Sequence, residues 1–201
     1  SRVVEEYSLV VVPADSPYQT MDDLVTAWRV DPAHVAWTGG GSFDQLVMAD
    51  IARTAGVPVA DTTYIPSDGG GEAIQALLNG TAQASAGGFA DIYPQVEAGR
   101  LRALGVVAAE PLAGVEEIPT LRSQGYDVTL TNWRALFVPP GVSAEERTEL
   151  EALIAEAVDT PEWKEAVQRN YWNPVPLSGA ELEEFIAAEK ERIGTLTEEV
   201  K

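Results

Sequence analysis

The sequence predicts an α/β fold around a largely parallel sheet, and three observations lead there. Short β-rich apolar runs alternate with helical patterns between residues 7 and 108. Three of those runs end in glycine turns, at "TGGGS", "SDGGGE" and "AGG". After residue 142 the pattern turns almost wholly helical. Strands joined by helical crossovers imply a parallel sheet covered on both faces.

Residues 7–12 form the first apolar run, stopped by Pro13. Thr20 is an N-cap for a helix whose stripe is Leu24, Val25 and Trp28. A strand at 35–37 leads to a helix near 43–54, and one at 62–65 leads to a helix near 71–78. Residues 82–86 are extended, 91–98 helical and 101–108 extended again. Residues 111–126 read as a loop with a short helix at best, followed by the strand "WRALFVPPG", which Pro139, Pro140 and Gly141 end. Ser143 with Glu146 makes a capping box ahead of Leu150, Leu153 and Ile154. Thr160 and Pro161 open the next helix, and Ser178 with Glu181 the last, whose stripe is Leu182, Phe185, Ile186 and Ile193. These three helices are expected to lack a sheet of their own.

Composition narrows the function. With 201 residues, 45% of them hydrophobic, the chain fills one good core or two small ones. There is no cysteine, which excludes disulfides, thiolate metal sites and a thiol nucleophile. The 13 basic residues face 32 acidic ones, a net charge of -19, so a nucleic acid partner is disfavoured over most of the surface. The acidic excess fits a salty or extracellular setting. No apolar run is long enough to span a membrane. His34 is the sole histidine and reads as a surface residue, which leaves no catalytic residue, metal site or cofactor to assign. Neither GxGxxG nor GxxxxGK[ST] occurs, so nucleotide binding has no support.

The glycine turns carry the chemistry. At the carboxyl ends of parallel strands, glycines let backbone N–H groups turn inward, and the following helix adds its positive end. Thr38, Gly39, Gly40, Gly41 and Ser42 are candidates to hold an anion with neutral donors, and the crowding expected there makes valine at Gly41 a loss of binding. Ser67, Asp68, Gly69 and Gly70 form a second candidate loop, although Asp68 would equally serve as a helix cap. Gly87 belongs to a third and weaker one. Trp37 is either an apolar wall for a ligand or core packing. Arg134 is either a carboxylate clamp or a solvated charge.

Taken in order, "SPYQTMDDLVTAW", "WTGGGSFDQLVMADIARTAG", "YIPSDGGGEAIQALLNG", "VEAGRLRALGVVAAE", "EEIPTLRSQGYDV", "NWRALFVPPGVSAEE" and "LSGAELEEFIAAEKERI" resemble the substrate-binding proteins of the tripartite tricarboxylate transporter family, the TctC or Bug type. The resemblance implies a periplasmic-binding-protein fold of type II, in which two α/β lobes close on a small carboxylate. Residues 1–12 would be an entry or hinge strand, 13–127 a nearly complete second lobe with the glycine loops, and 128–201 the strand and helices that return to the first lobe. It also implies further chain upstream with a signal peptide or lipoprotein anchor, an extracytoplasmic location, delivery of the ligand to membrane permease subunits, and no catalysis. The family's carboxylate contacts fall on Thr38, Gly39, Gly41 and Ser42, and near residues 67–70. This chain departs from the family at Gln45, where a histidine is common, at Ser67, where a tyrosine is common, and at Gly87 and Gly88, where Asp-Asn or similar is common. Loss of the ring at Ser67 should widen the pocket. The residues alone leave two alternatives: an α/β enzyme acting on a phosphate- or carboxylate-bearing substrate, and a ligand-sensing regulatory lobe.

Overall fold

The run of valines at 10–12 lies inside a five-stranded sheet. The computed structural model describes residues 1–200, and the chain divides into one unit of Ser1–Glu6 with Asn132–Arg192 and another of Tyr7–Thr131 with the tail from Ile193.

In the larger unit the strands are β2 (Ser8–Pro13), β3 (Trp37–Gly39), β4 (Tyr64–Pro66), β5 (Ala84–Gly88) and β6 (Leu101–Val107), arranged β4-β3-β5-β2-β6. β3 runs parallel to β4 and β5, with Trp37 opposite Tyr64 and Ala84. β2 is antiparallel to both β5 and β6. Four strands therefore share one direction and β2 opposes them, which corrects the expectation of a largely parallel sheet only at that strand. Its burial on both faces hides the reversal in sequence, because Leu9, Val10, Val11 and Val12 are all fully buried.

The helices of this unit are α1 (Met21–Val30), α2 (Ser42–Ala55), α3 (Gly70–Leu78) and α4 (Phe89–Glu97). Leu24, Val25 and Trp28 of α1 join Met48 and Ile51 of α2, with Val10, Val12 and Trp37 of the sheet, in one core. Trp28 and Trp37 meet at 4.7 Å between ring centroids, and Trp28 Nε1 donates to Thr62 Oγ1 at 3.1 Å. Arg102 of β6 fastens the chain ahead of α1 by donating to the carbonyls of Ala14, Ser16 and Tyr18. The segment at 111–126 carries only a 3₁₀ turn at Arg122–Gln124.

Thr20 caps α1 as its sequence position implies. Asp23 N donates to its hydroxyl at 3.1 Å, and Asp23 Oδ2 accepts from Thr20 N at 2.9 Å. The Thr20 hydroxyl and the N–H groups of Gln19 and Thr20 hold the Asp23 carboxyl below its ordinary value of 3.8. A lowered folded-state value stabilises above the unfolded value and is lost as pH falls through the lowered one. Thr20→Ala is expected to lower the melting temperature by about 2–4 °C at neutral pH. The gap between wild type and variant should narrow as pH falls below about 4, without vanishing because the Asp23 N–H to Thr20 hydroxyl bond is independent of pH, a trend that thermal melts on a pH series would show or refute.

The smaller unit has its own sheet, which the sequence reading did not anticipate. β1 (Arg2–Glu6) lies between β7 (Asn132–Ala135) and β8 (Asn173–Leu177), antiparallel to both. The entry strand is thus two strands, broken at Tyr7. β8 contains Pro174 and Pro176, residues that argue against a strand in general but are accepted at a sheet edge. The helices α5 (Ala144–Val158), α6 (Pro161–Arg169) and α7 (Gly179–Glu199) complete the set. Val3 and Val4 of β1 pack with Val167, Ile154, Val158, Trp163 and Trp172, so α5 and α6 have a strand beneath them after all. β7 ends at Ala135, short of the expected strand, and Leu136, Phe137 and Val138 are exposed. Ser143 with Glu146 and Thr160 with Pro161 cap α5 and α6 as expected. The last turns of α7 belong to the larger unit, where Leu196 enters the core.

Candidate ligand-binding site

β3, β4 and β5 point the same way, so Gly39, Pro66 and Gly88 end at one edge of the sheet. Each strand is followed by a helix. The N-cap residues of α2, α3 and α4 are Gly41, Gly69 and Gly88, and none supplies a side-chain cap. By contrast α1, α5 and α6 are capped by the hydroxyls of Thr20, Ser143 and Thr160. Three helix starts without side-chain caps thus lie at one sheet edge and offer N–H groups to an anion, although the Phe89 N–H of α4 is already given to the Tyr7 carbonyl at 2.9 Å.

The first two loops are stitched together. Ser67 N donates to the Gly39 carbonyl at 3.1 Å, and Thr38 Oγ1 donates to the Ile65 carbonyl at 2.8 Å while lying 3.1 Å from Ser67 Oγ. A β-carbon on Gly40 would lie 2.4 Å from Gly70 N and 2.6 Å from the Gly69 carbonyl carbon. One on Gly39 would lie 2.4 Å from Asp44 Cβ, and one on Gly87 2.8 Å from Ile92 Cδ1. At Gly41 and Gly69 the same position meets nothing within 4 Å, and both have extended backbones with φ of 178° and 163°. Close approach therefore requires glycine at 39 and 40. Gly41, expected to be the crowded position, is the open one.

Ser42 is the first residue of α2 and is exposed. Asp68 is exposed and does not cap α3, whose N-cap is Gly69; its own N–H donates to Glu72 Oε2 at 2.6 Å. Gly70 opens α3 with its β-carbon position 3.3 Å from Asp91 Oδ2. Trp37 is fully buried against Trp28, which makes it core rather than a wall open to a ligand. Arg134 lies on β7 of the smaller unit, donating to Glu6 Oε2 at 2.9 Å and to Asn132 Oδ1. His34 is exposed, and among the described residues no three His, Asp or Glu side chains are grouped to hold a metal.

Sequence reasoning missed Asp44. It is the third residue of α2, and its Oδ2 accepts the Gly40 N–H at 2.8 Å. Tyr64 places its hydroxyl 3.5 Å from the Gly41 carbonyl, and burial followed by the Asp44 charge pushes its phenol above the ordinary value of 10.0. Ser85, paired with Thr38 across β3 and β5, is buried with no hydrogen-bond partner for its hydroxyl. An acid in the first turn of a helix that follows a glycine loop was the available signal for Asp44.

A sheet with four strands in one direction and one reversed, a glycine rim at its carboxyl edge and a second α/β unit define a two-lobed solute-binding fold of the periplasmic type II kind. The chain belongs to the tripartite tricarboxylate transporter receptor family: the model described as "Tripartite tricarboxylate transporter family receptor" matches residues 1–201. A TctC solute-binding protein from Polaromonas, solved without ligand, superposes with a TM-score of 0.78 at 25% identity, over 99% of this chain and 67% of that one. An R. palustris protein solved with adipate gives 0.83 at 20% identity, over 99% and 67%. Among curated relatives, the "UPF0065 protein in gbd 5'region" of Cupriavidus necator is 29% identical over 180 residues, 89% of this chain and 54% of the relative. The chain spans about half the length of that relative. No described helix is long and apolar enough to cross a membrane.

Proposed function

We propose that this protein is an extracytoplasmic receptor that captures a small organic carboxylate and delivers it to a tripartite tricarboxylate-type permease. The observation that carries the reading is the set of three helix starts without side-chain caps at one sheet edge, where α1, α5 and α6 each have a hydroxyl cap. In a chain of net charge -19, neutral backbone donors are an economical way to bind an anion. The R. palustris relatives solved with adipate and with malate support a dicarboxylate-sized ligand. Thr38, residues 39–42, Ser67 and residues 68–70 are the proposed contacts, with Gly87 beneath them.

Residues 13–127 serve in this reading as the ligand-binding lobe, and the smaller unit as part of a lobe that further chain of the same fold completes. α5 has no buried residue, Phe137 and Leu153 are more than half exposed, and an apolar cavity of about 630 Å³ runs past Val3, Ile154, Val158 and Trp163. Calorimetric titration of the protein as its gene encodes it, with mono-, di- and tricarboxylates and a nucleotide, tests the receptor. Micromolar carboxylate binding without turnover is expected, and Ser42→Ala should weaken it by about 1–2 kcal/mol, the worth of a hydrogen bond to a charged group. Binding of the nucleotide alone would sink the proposal.

A further inference from the structure

We propose that Asp44 sets the chemical class of the ligand: the solute carries an ammonium group beside a carboxylate, and Asp44 reads the ammonium. This rests on the receptor reading and narrows it.

A helix start facing a ligand favours negative charge. Here the chain has placed its own carboxylate in that position. Asp44 Oδ2 takes the Gly40 N–H at 2.8 Å and lies 3.6 Å from the point where a Gly87 β-carbon would be, so one oxygen sits by the ends of both β3 and β5. The absent side chain of Gly39, whose β-carbon would meet Asp44 Cβ at 2.4 Å, is what lets the aspartate settle there. Its charge is felt locally, since it helps raise the Tyr64 phenol. Asp91 Oδ2 stands 3.3 Å from the β-carbon position of Gly70, so a second carboxylate borders the neighbouring turn. Ser85 adds a buried hydroxyl without a partner on the strand face it shares with Gly87 and Thr38.

A plain dicarboxylate on this rim sets one of its charges against Asp44 in half-buried surroundings. An ammonium turns the same approach into a charge-assisted hydrogen bond. A carboxylate oxygen accepts more than one bond, so Asp44 serves Gly40 and the ligand together. The ligand's own carboxylate is then left for the N–H groups at the start of α3 and for those of α4 beyond Phe89, whose own N–H goes to the Tyr7 carbonyl at 2.9 Å. Discrimination comes from repulsion of the wrong anion as much as from attraction of the right one.

The test is calorimetry on the whole gene product with matched pairs that differ by one amino group, aspartate against succinate and glutamate against glutarate. Wild type is expected to favour the aminated member of a pair by about tenfold or more. Asp44→Asn keeps an acceptor for Gly40 and removes the charge, and should bring the ratio to about one by weakening the first ligand and tightening the second. Equal or reversed preference in wild type, which needs no variant to measure, overturns the role of Asp44 and leaves the receptor standing. An unchanged ratio in a variant with native circular dichroism does the same. No binding of any carboxylate overturns both.

Discussion

Gly40→Ala is expected to lower both the stability of the larger unit and its affinity for ligand, while Gly41→Ala next to it changes the melting temperature little. The added methyl at Gly40 would lie 2.4 Å from Gly70 N, a backbone atom that no rotamer change can move away. The loops after β3 and β4 must then separate, which strains the Ser67 to Gly39 and Thr38 to Ile65 hydrogen bonds that join them. Overpacking of this kind costs about 1–3 kcal/mol, and each kcal/mol is about 2–4 °C in a chain of this size. At Gly41 the methyl enters open space on an extended backbone. Thermal melts of the two variants side by side decide the matter, and equal melting temperatures would show that the loops do not depend on their backbone contact.

Trp28→Ala is expected to be the most destabilising single change in the larger unit. Its side chain is fully buried, touches Trp37 at 4.7 Å between centroids and donates a hydrogen bond to Thr62. Truncation of a buried tryptophan costs about 3–5 kcal/mol, and the indole hydrogen bond to Thr62 is lost with it. Trp28→Phe should lose less, because the aromatic contact survives and only the indole N–H is gone. Chemical denaturation monitored by circular dichroism would give both values, and a loss below about 1 kcal/mol for alanine would show that the core rearranges around the gap.

Much of both units was legible because the signals are local. Thr20, Ser143 and Thr160 each announce a helix start, and the alternation of apolar runs with helices gives the crossovers around Trp37, Ile65 and Ala86. The direction of β2 was not legible. A strand buried on both faces reads the same whether its neighbours run with it or against it. Arg2–Glu6 was expected only as part of one entry strand over residues 1–12, and Asn173–Leu177 escaped notice because it holds two prolines. At the rim, the glycines named the place but not which of them is crowded. That depends on how closely the turn after β4 approaches the turn after β3, a distance between residues thirty apart in sequence. Asp44 was overlooked because carboxylates are abundant in this chain, and only the fold picks out the one that accepts the Gly40 N–H at the end of β3.

The prolines of β8 also govern how the smaller sheet can grow. β8 forms one margin of the β7-β1-β8 order, and Pro174 and Pro176 have no N–H to offer a newcomer. A strand seeking to extend the sheet there would find alternate donors missing, a common protection against edge-to-edge polymerisation. The opposite margin, along Asn132–Ala135, has no proline. Growth of this sheet, whether by further chain of the same molecule or by a neighbour at high concentration, is thereby directed to β7.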